Sequence, residues 1–160
     1  MMRLKAKKLK DRAGLEGYAL WMLAQRDMTR HLVKQKLEGY AQDRGDIEPV
    51  LERMEVLGYL DDRRFTEVYV RSCRDNRGYG PTKIRMKLKE KGVPNNLIQE
   101  FLDEKDECWA QKARELRERR FGEAPVDMVE KNRQMSFLAR RGYSFDQIKQ
   151  SFLAAEDHLA

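Results

Sequence analysis

Little in this chain points to a metal, a disulfide or a membrane. Its two cysteines, Cys73 and Cys108, form no CxxC pair, and its two histidines, His31 and His158, lie far apart. That spacing excludes a disulfide framework and the usual zinc sites. Unpatterned cysteines suit a reducing compartment, so a cytoplasmic location is expected. No apolar run approaches membrane-spanning length, and the lysine-rich start lacks the apolar stretch of a signal peptide. Gly78-Tyr79-Gly80 lacks the GK[ST] ending of a phosphate loop. No Ser-His-Asp or Cys-His arrangement stands out. No enzyme, catalytic residue, cofactor or metal ligand is expected.

Charge is plentiful instead. Of 160 residues, 38% are charged and 9% aromatic, a composition too wet for one thick core. The apolar residues are nonetheless spread along the chain, which argues for small helical units rather than disorder. The net charge is +6 and the pI about 9.3. Such a balance favours an anionic partner, either nucleic acid or an acidic protein surface. The positive charge is localised: residues 1–12 carry +5 and residues 71–91 carry +6, whereas 13–70 sum to −3 and 92–110 to −4.

Within the second basic block, Lys83, Arg85, Lys87, Lys89 and Lys91 alternate with Ile84, Met86, Leu88 and Glu90. Strict alternation imitates a half-buried strand. No second strand candidate exists to pair with it, and a lone strand leaves its backbone unsatisfied. A helix is expected instead, held by Ile84 and Leu88, with Met86 projecting outward and cations over most of its circumference.

The rest of the chain reads as helical too. Ile47, Val50, Leu51, Met54 and Leu57 form one apolar stripe, and Phe65, Val68, Tyr69, Ser72 and Cys73 another. Asp46, Asp62 and Ser144 occupy N-cap positions, and Ser144 with Gln147 forms a capping box. Pro81 suits a first helical position. Gly58, Gly92 and Gly142 each follow an apolar stripe, as left-handed stops do. Trp21 and Trp109 are expected in cores, Cys73 as a small buried hydrophobe, and Tyr59 and Leu60 at a junction of units. Asp61 and Asp62 open a helix before Arg63 and Arg64, which favours capping over acid–base chemistry.

A shift of 51 residues places Val33 on Ile84, Leu37 on Leu88, Ile47 on Ile98 and Leu51 on Leu102. A further shift of 50 places Leu88 on Leu138, Gly92 on Gly142, Ile98 on Ile148 and Leu102 on Phe152. The expected fold is all-α: three tandem three-helix, helix-turn-helix-like repeats at 14–57, 58–104 and 105–155, in an elongated, curved array. A basic tail, 1–13, precedes them, and 156–160 form a C-terminal tail.

LGYLDDRRF, Leu57 to Phe65, followed by GYGPTKIRMKLKEKG, Gly78 to Gly92, resembles the paired signature of the RecX family, regulators of the RecA recombinase. Tyr18 to Leu37 is similar to that family's first unit, and Arg140 to Ile148 resembles its third. The resemblance implies a non-catalytic protein of three tandem three-helix repeats; a monomer is expected. It implies binding in the helical groove of the RecA–DNA filament and restraint of filament growth, ATP hydrolysis, strand exchange and coprotease activity. Recombination and the SOS response would be modulated in consequence. The candidate RecA- or DNA-binding residues are Arg71, Arg74, Arg77, Lys83, Arg85, Lys87 and Lys89. Arg74 has Asp75 beside it as a local alternative partner. Secondary basic candidates are Lys5, Lys7, Lys8 and Lys10 in the tail, and Arg117, Arg119 and Arg120. Two alternatives remain open at this point: a nucleic-acid-binding module acting on DNA directly, and a scaffold for another partner.

Overall fold

The structure, a computed structural model, describes residues 8–153. Among them nine α-helices form and no strand does; Lys10 and Ala41 make one isolated bridge. The helices fall into three consecutive triples. These are α1 (Arg12–Gln25), α2 (Arg30–Glu38) and α3 (Ile47–Val56); α4 (Asp62–Asp75), α5 (Pro81–Glu90) and α6 (Asn95–Phe101); and α7 (Cys108–Phe121), α8 (Met128–Arg140) and α9 (Phe145–Leu153). The fold is a tandem of three-helix repeats. By internal contacts the chain divides into two compact units, Met1–Thr66 with Lys91–Pro94, and Glu67–Glu90 with Asn95–Ala160.

In the first unit, Leu15, Ala19 and Met22 recur at helical spacing and meet Val33 and Leu37 of α2 and Ile47, Val50, Leu51 and Met54 of α3. Each fully buried aliphatic side chain contributes about 1.5–3 kcal/mol. Asp11 caps α1 by accepting from the Gly14 amide at 2.9 Å. Thr29 has two tasks. Its hydroxyl accepts from the Leu32 amide at 3.3 Å and donates to the Lys91 carbonyl at 2.5 Å. Gly92, at φ +76°, passes so close to His31 that a Cβ there would lie 2.3 Å from the His31 side chain.

Four sequence expectations change here. The cap of α4 is Asp61, which accepts from the Arg64 amide at 3.0 Å. Asp62 instead accepts the Arg30 amide at 2.8 Å, satisfying the start of α2 from a distant part of the chain. Asp46 makes no cap bond; it pairs with Arg12 at 2.9 Å, behind a 3₁₀ turn that Asp43 caps. Trp21 is 60% exposed, because the buried stripe of α1 runs through Leu15, Ala19 and Met22 and leaves it to one side. Tyr59 is likewise exposed, although Leu60 is buried.

In the second unit the alternating segment is helix α5. Ile84 and Leu88 are fully buried and Met86 is 56% exposed, so the alternation marks a narrow apolar seam. Trp109 is buried with its indole N–H donating to the Asp103 carbonyl at 2.7 Å, and Cys73 is buried. Ser144 and Gln147 form the reciprocal capping box, at 2.9 and 3.2 Å.

The start of α5 is satisfied by the end of α8. The Gly80 amide donates to the Arg141 carbonyl at 2.7 Å and the Thr82 amide to the Gly142 carbonyl at 3.0 Å. Aligned amide and carbonyl ends attract through their dipoles as well. Under the 50- and 51-residue shifts, Gly80 corresponds to Thr29 and Arg141 to Lys91. The Thr29–Lys91 and Gly80–Arg141 bonds are therefore the same contact, made once by a side chain and once by the backbone.

Candidate interaction surface

Helix α5 presents its cations in two groups. Lys83 and Lys87, one turn apart, reach back over the Tyr79 ring, with Nζ 4.3 and 5.9 Å from its centroid. Cation–π contact at a partly exposed site is worth roughly 0.5–1 kcal/mol and leaves the ammonium free to meet an anion. Lys89 is exposed. On the other flank, Arg85 is engaged: its guanidinium pairs with Glu104 at 2.6 Å. Both partners are about a third exposed, so this pair adds only about 0–1 kcal/mol to stability, but it neutralises one cation of the face.

The preceding arginines divide in the same way. Arg71 is exposed and lies 3.7 Å from Glu67, a loose i,i+4 pair. Arg74 grips Asp75 at 2.9 and 3.2 Å, and Lys112 approaches the same carboxylate at 3.4 Å. The Arg74 hydrogen bond holds the Asp75 carboxyl below its ordinary range. Arg77 is exposed, and its carbonyl accepts from Arg141 at 3.4 Å.

Of the secondary candidates, Lys5 and Lys7 lie outside the described residues. Lys8 is exposed. Lys10 is anchored: its amide donates to Tyr40 at 2.6 Å, and its carbonyl accepts from Gln42 at 3.0 Å. Arg117 corrects its reading as a surface charge. It is 4% exposed, on the buried face of α7 with Trp109 and Ala113. Its guanidinium lies 4.5 Å from the Phe152 ring and donates to the Ser151 carbonyl at 3.3 Å, and burial lowers its pKa. Arg119 and Arg120 are exposed and join Arg77 around a cleft of about 240 Å³. Two participants escaped the sequence reading. Arg141 lines the same cleft, and Tyr79 supports both lysines of α5. Tyr79 sits four residues before Lys83 and eight before Lys87, a spacing that could have flagged it.

Among the described residues no helix is long and apolar enough to cross a membrane. Fold and surface together define a tandem three-helix-repeat protein whose second repeat displays a cationic helix. The family models described as "RecX, second three-helix domain" and "RecX, third three-helix domain" match residues 61–102 and 106–151. The chain is 44% identical over 140 residues to Regulatory protein RecX of Halorhodospira halophila, covering 87% of this chain and 86% of that one. It is 36% identical over 144 residues to Regulatory protein RecX of Leptothrix cholodnii, covering 90% of each. The crystal structure of RecX from Lactobacillus salivarius superposes with a TM-score of 0.79 at 21% identity, over 91% of this chain and 96% of that one. The chain belongs to the RecX family, as its motifs led one to expect.

Proposed function

We propose that this protein regulates RecA by binding the RecA–DNA filament in its helical groove. There it restrains filament growth, ATP hydrolysis, strand exchange and coprotease activity, and so modulates recombination and the SOS response. The observation that carries this reading is the 44% identity, over most of both chains, to a protein named Regulatory protein RecX. The protein acts as a cytoplasmic monomer and by binding rather than catalysis; its curated relatives are named as regulators.

The contact surface is centred on Lys83, Lys87 and Lys89, with Arg71 and Arg77 before them. Arg74 and Arg85 contribute less, because Asp75 and Glu104 already occupy them. A cationic helix suits a groove lined by acidic side chains and DNA phosphates. If it engages successive RecA subunits, it binds the assembled filament in preference to the free monomer.

The test is RecA ATPase on single-stranded DNA with substoichiometric protein. Inhibition far below saturation of the DNA supports the reading. Inhibition that appears only when the protein coats the DNA, and that salt removes together with DNA binding, means competition for phosphates instead. Lys83→Glu with Lys87→Glu weakens filament binding at unchanged helical content. Undiminished inhibition by that variant places the interface elsewhere.

A further inference from the structure

A second cluster of cations lies beside the start of α5, where the ends of α7 and α8 meet the turn through Arg77 and Gly78. Arg119 and Arg120 of α7, Arg141 just past α8, and Arg77 line one cleft of about 240 Å³, with Phe137 and Leu116 in its wall. Among the described residues, none of these four arginines forms an ion pair. The nearby acids of α7 are turned to other partners: Glu118 to Arg114 at 2.9 Å and Glu115 to Lys112 at 3.8 Å. Four uncompensated guanidiniums repel one another, and an anion between them relieves that repulsion.

Two of these guanidiniums are also held in place. Arg141 and Arg120 lie 5.3 and 5.8 Å from the Phe137 ring centroid. Phe137 meets Phe121 edge-on at 5.4 Å, and Arg133 lies 5.8 Å over Phe121. Stacking restricts the rotamers of these long side chains before any ligand arrives, which lowers the entropic cost of binding.

We infer that this arginine-lined cleft holds a backbone phosphate of a single nucleic-acid strand, which runs on along the guanidinium–aromatic row towards Arg133. Planar guanidiniums match phosphate oxygens two at a time. The cleft is smaller than the 300–1,000 Å³ or so typical of whole small-molecule sites, so it suits a group on a chain rather than an enclosed nucleotide. The row beyond it, in which Phe137 and Phe121 lie between Arg120 and Arg133, fits an extended strand better than an isolated anion, although Glu130 lies 3.7 Å from Arg133 at its far end.

The experiment uses the full chain without RecA, so its outcome is independent of the regulatory reading. Fluorescence anisotropy follows binding to a labelled oligo-dT across a salt series. Arg119→Gln with Arg141→Gln is expected to weaken binding by about tenfold and to flatten the slope of log K against log salt by about 0.7, the contribution of the one phosphate left without these guanidiniums. Arg119→Gln alone, which touches no packed ring, gives about half that slope change and controls for misfolding at Arg141. Lys83→Gln with Lys87→Gln is expected to retain the larger part of the binding. Unchanged affinity and slope in the arginine variants overturn the assignment. Binding of inorganic phosphate without any displacement of the strand also overturns it, because the cleft then holds a free anion only.

Discussion

Gly80 and Gly142 meet backbone to backbone: a Cβ built on Gly80 would lie 2.4 Å from the Gly142 carbonyl carbon and 2.5 Å from its oxygen. No side-chain adjustment relieves such a clash. Gly80→Ala should therefore cost at least the 1–3 kcal/mol or so typical of overpacking. Gly142→Ala adds a left-handed backbone at φ +101° to a Cβ 2.4 Å from that of Lys83. Urea denaturation should show both midpoints falling, whereas Gly17→Ala, with nothing within 4 Å, should hold or raise its midpoint.

Leu88 and Met86 are two residues apart on the same helix and should respond oppositely to truncation. Leu88 is fully buried, so Leu88→Ala should lose about 2–5 kcal/mol. Met86 is 56% exposed, and Met86→Ala should change stability by less than about 0.5 kcal/mol. Equal losses for the two variants would contradict the seam described for α5.

Glu104 restrains Arg85 at 2.6 Å. Glu104→Gln removes the counter-charge and leaves a guanidinium free on the cationic face. Affinity for the RecA–DNA filament should rise by a few-fold, more at low salt than at high salt. Weaker filament binding by Glu104→Gln would mean that the pair orients Arg85 rather than masks it.

Tyr143 is buried, and its hydroxyl donates to the Gly78 carbonyl at 3.1 Å. Burial pushes its pKa up to about 12, from an ordinary 10.0. The unfolded chain releases this proton first, so the stabilisation is complete below pH 10 and is lost as pH rises towards 12. Tyr143→Phe should lose about 0.5–1.5 kcal/mol at neutral pH and show a shallower alkaline decline. Burial also raises Tyr18 and Tyr69, so the decline should shrink rather than vanish.

Much of the fold was legible because local chemistry and tertiary packing agree. Gly58, Gly92 and Gly142 take positive φ where the apolar stripes stop, and Ser144 and Gln147 close their box. Trp21 was misread because Tyr18 to Leu23 is apolar throughout, so no polar residue fixes the phase of that turn. Asp62 was misplaced because its partner, Arg30, is remote in sequence. Arg117 was hidden in a basic run, although it repeats the spacing of Trp109 and Ala113 and so shares their buried face. The cationic helix was visible as a charge pattern. Which of its charges are already occupied was not, because Glu104 belongs to a different segment.

The way α5 begins limits how this protein can be shortened. Its opening amides at Gly80 and Thr82 rest on carbonyls that arrive only with Arg141 and Gly142. A chain cut between the second and third repeats would leave that helix unanchored at its first turn, with two donors bare. The middle repeat is thus no portable cassette: transplanted alone, it should fray at the very end from which Lys83 projects.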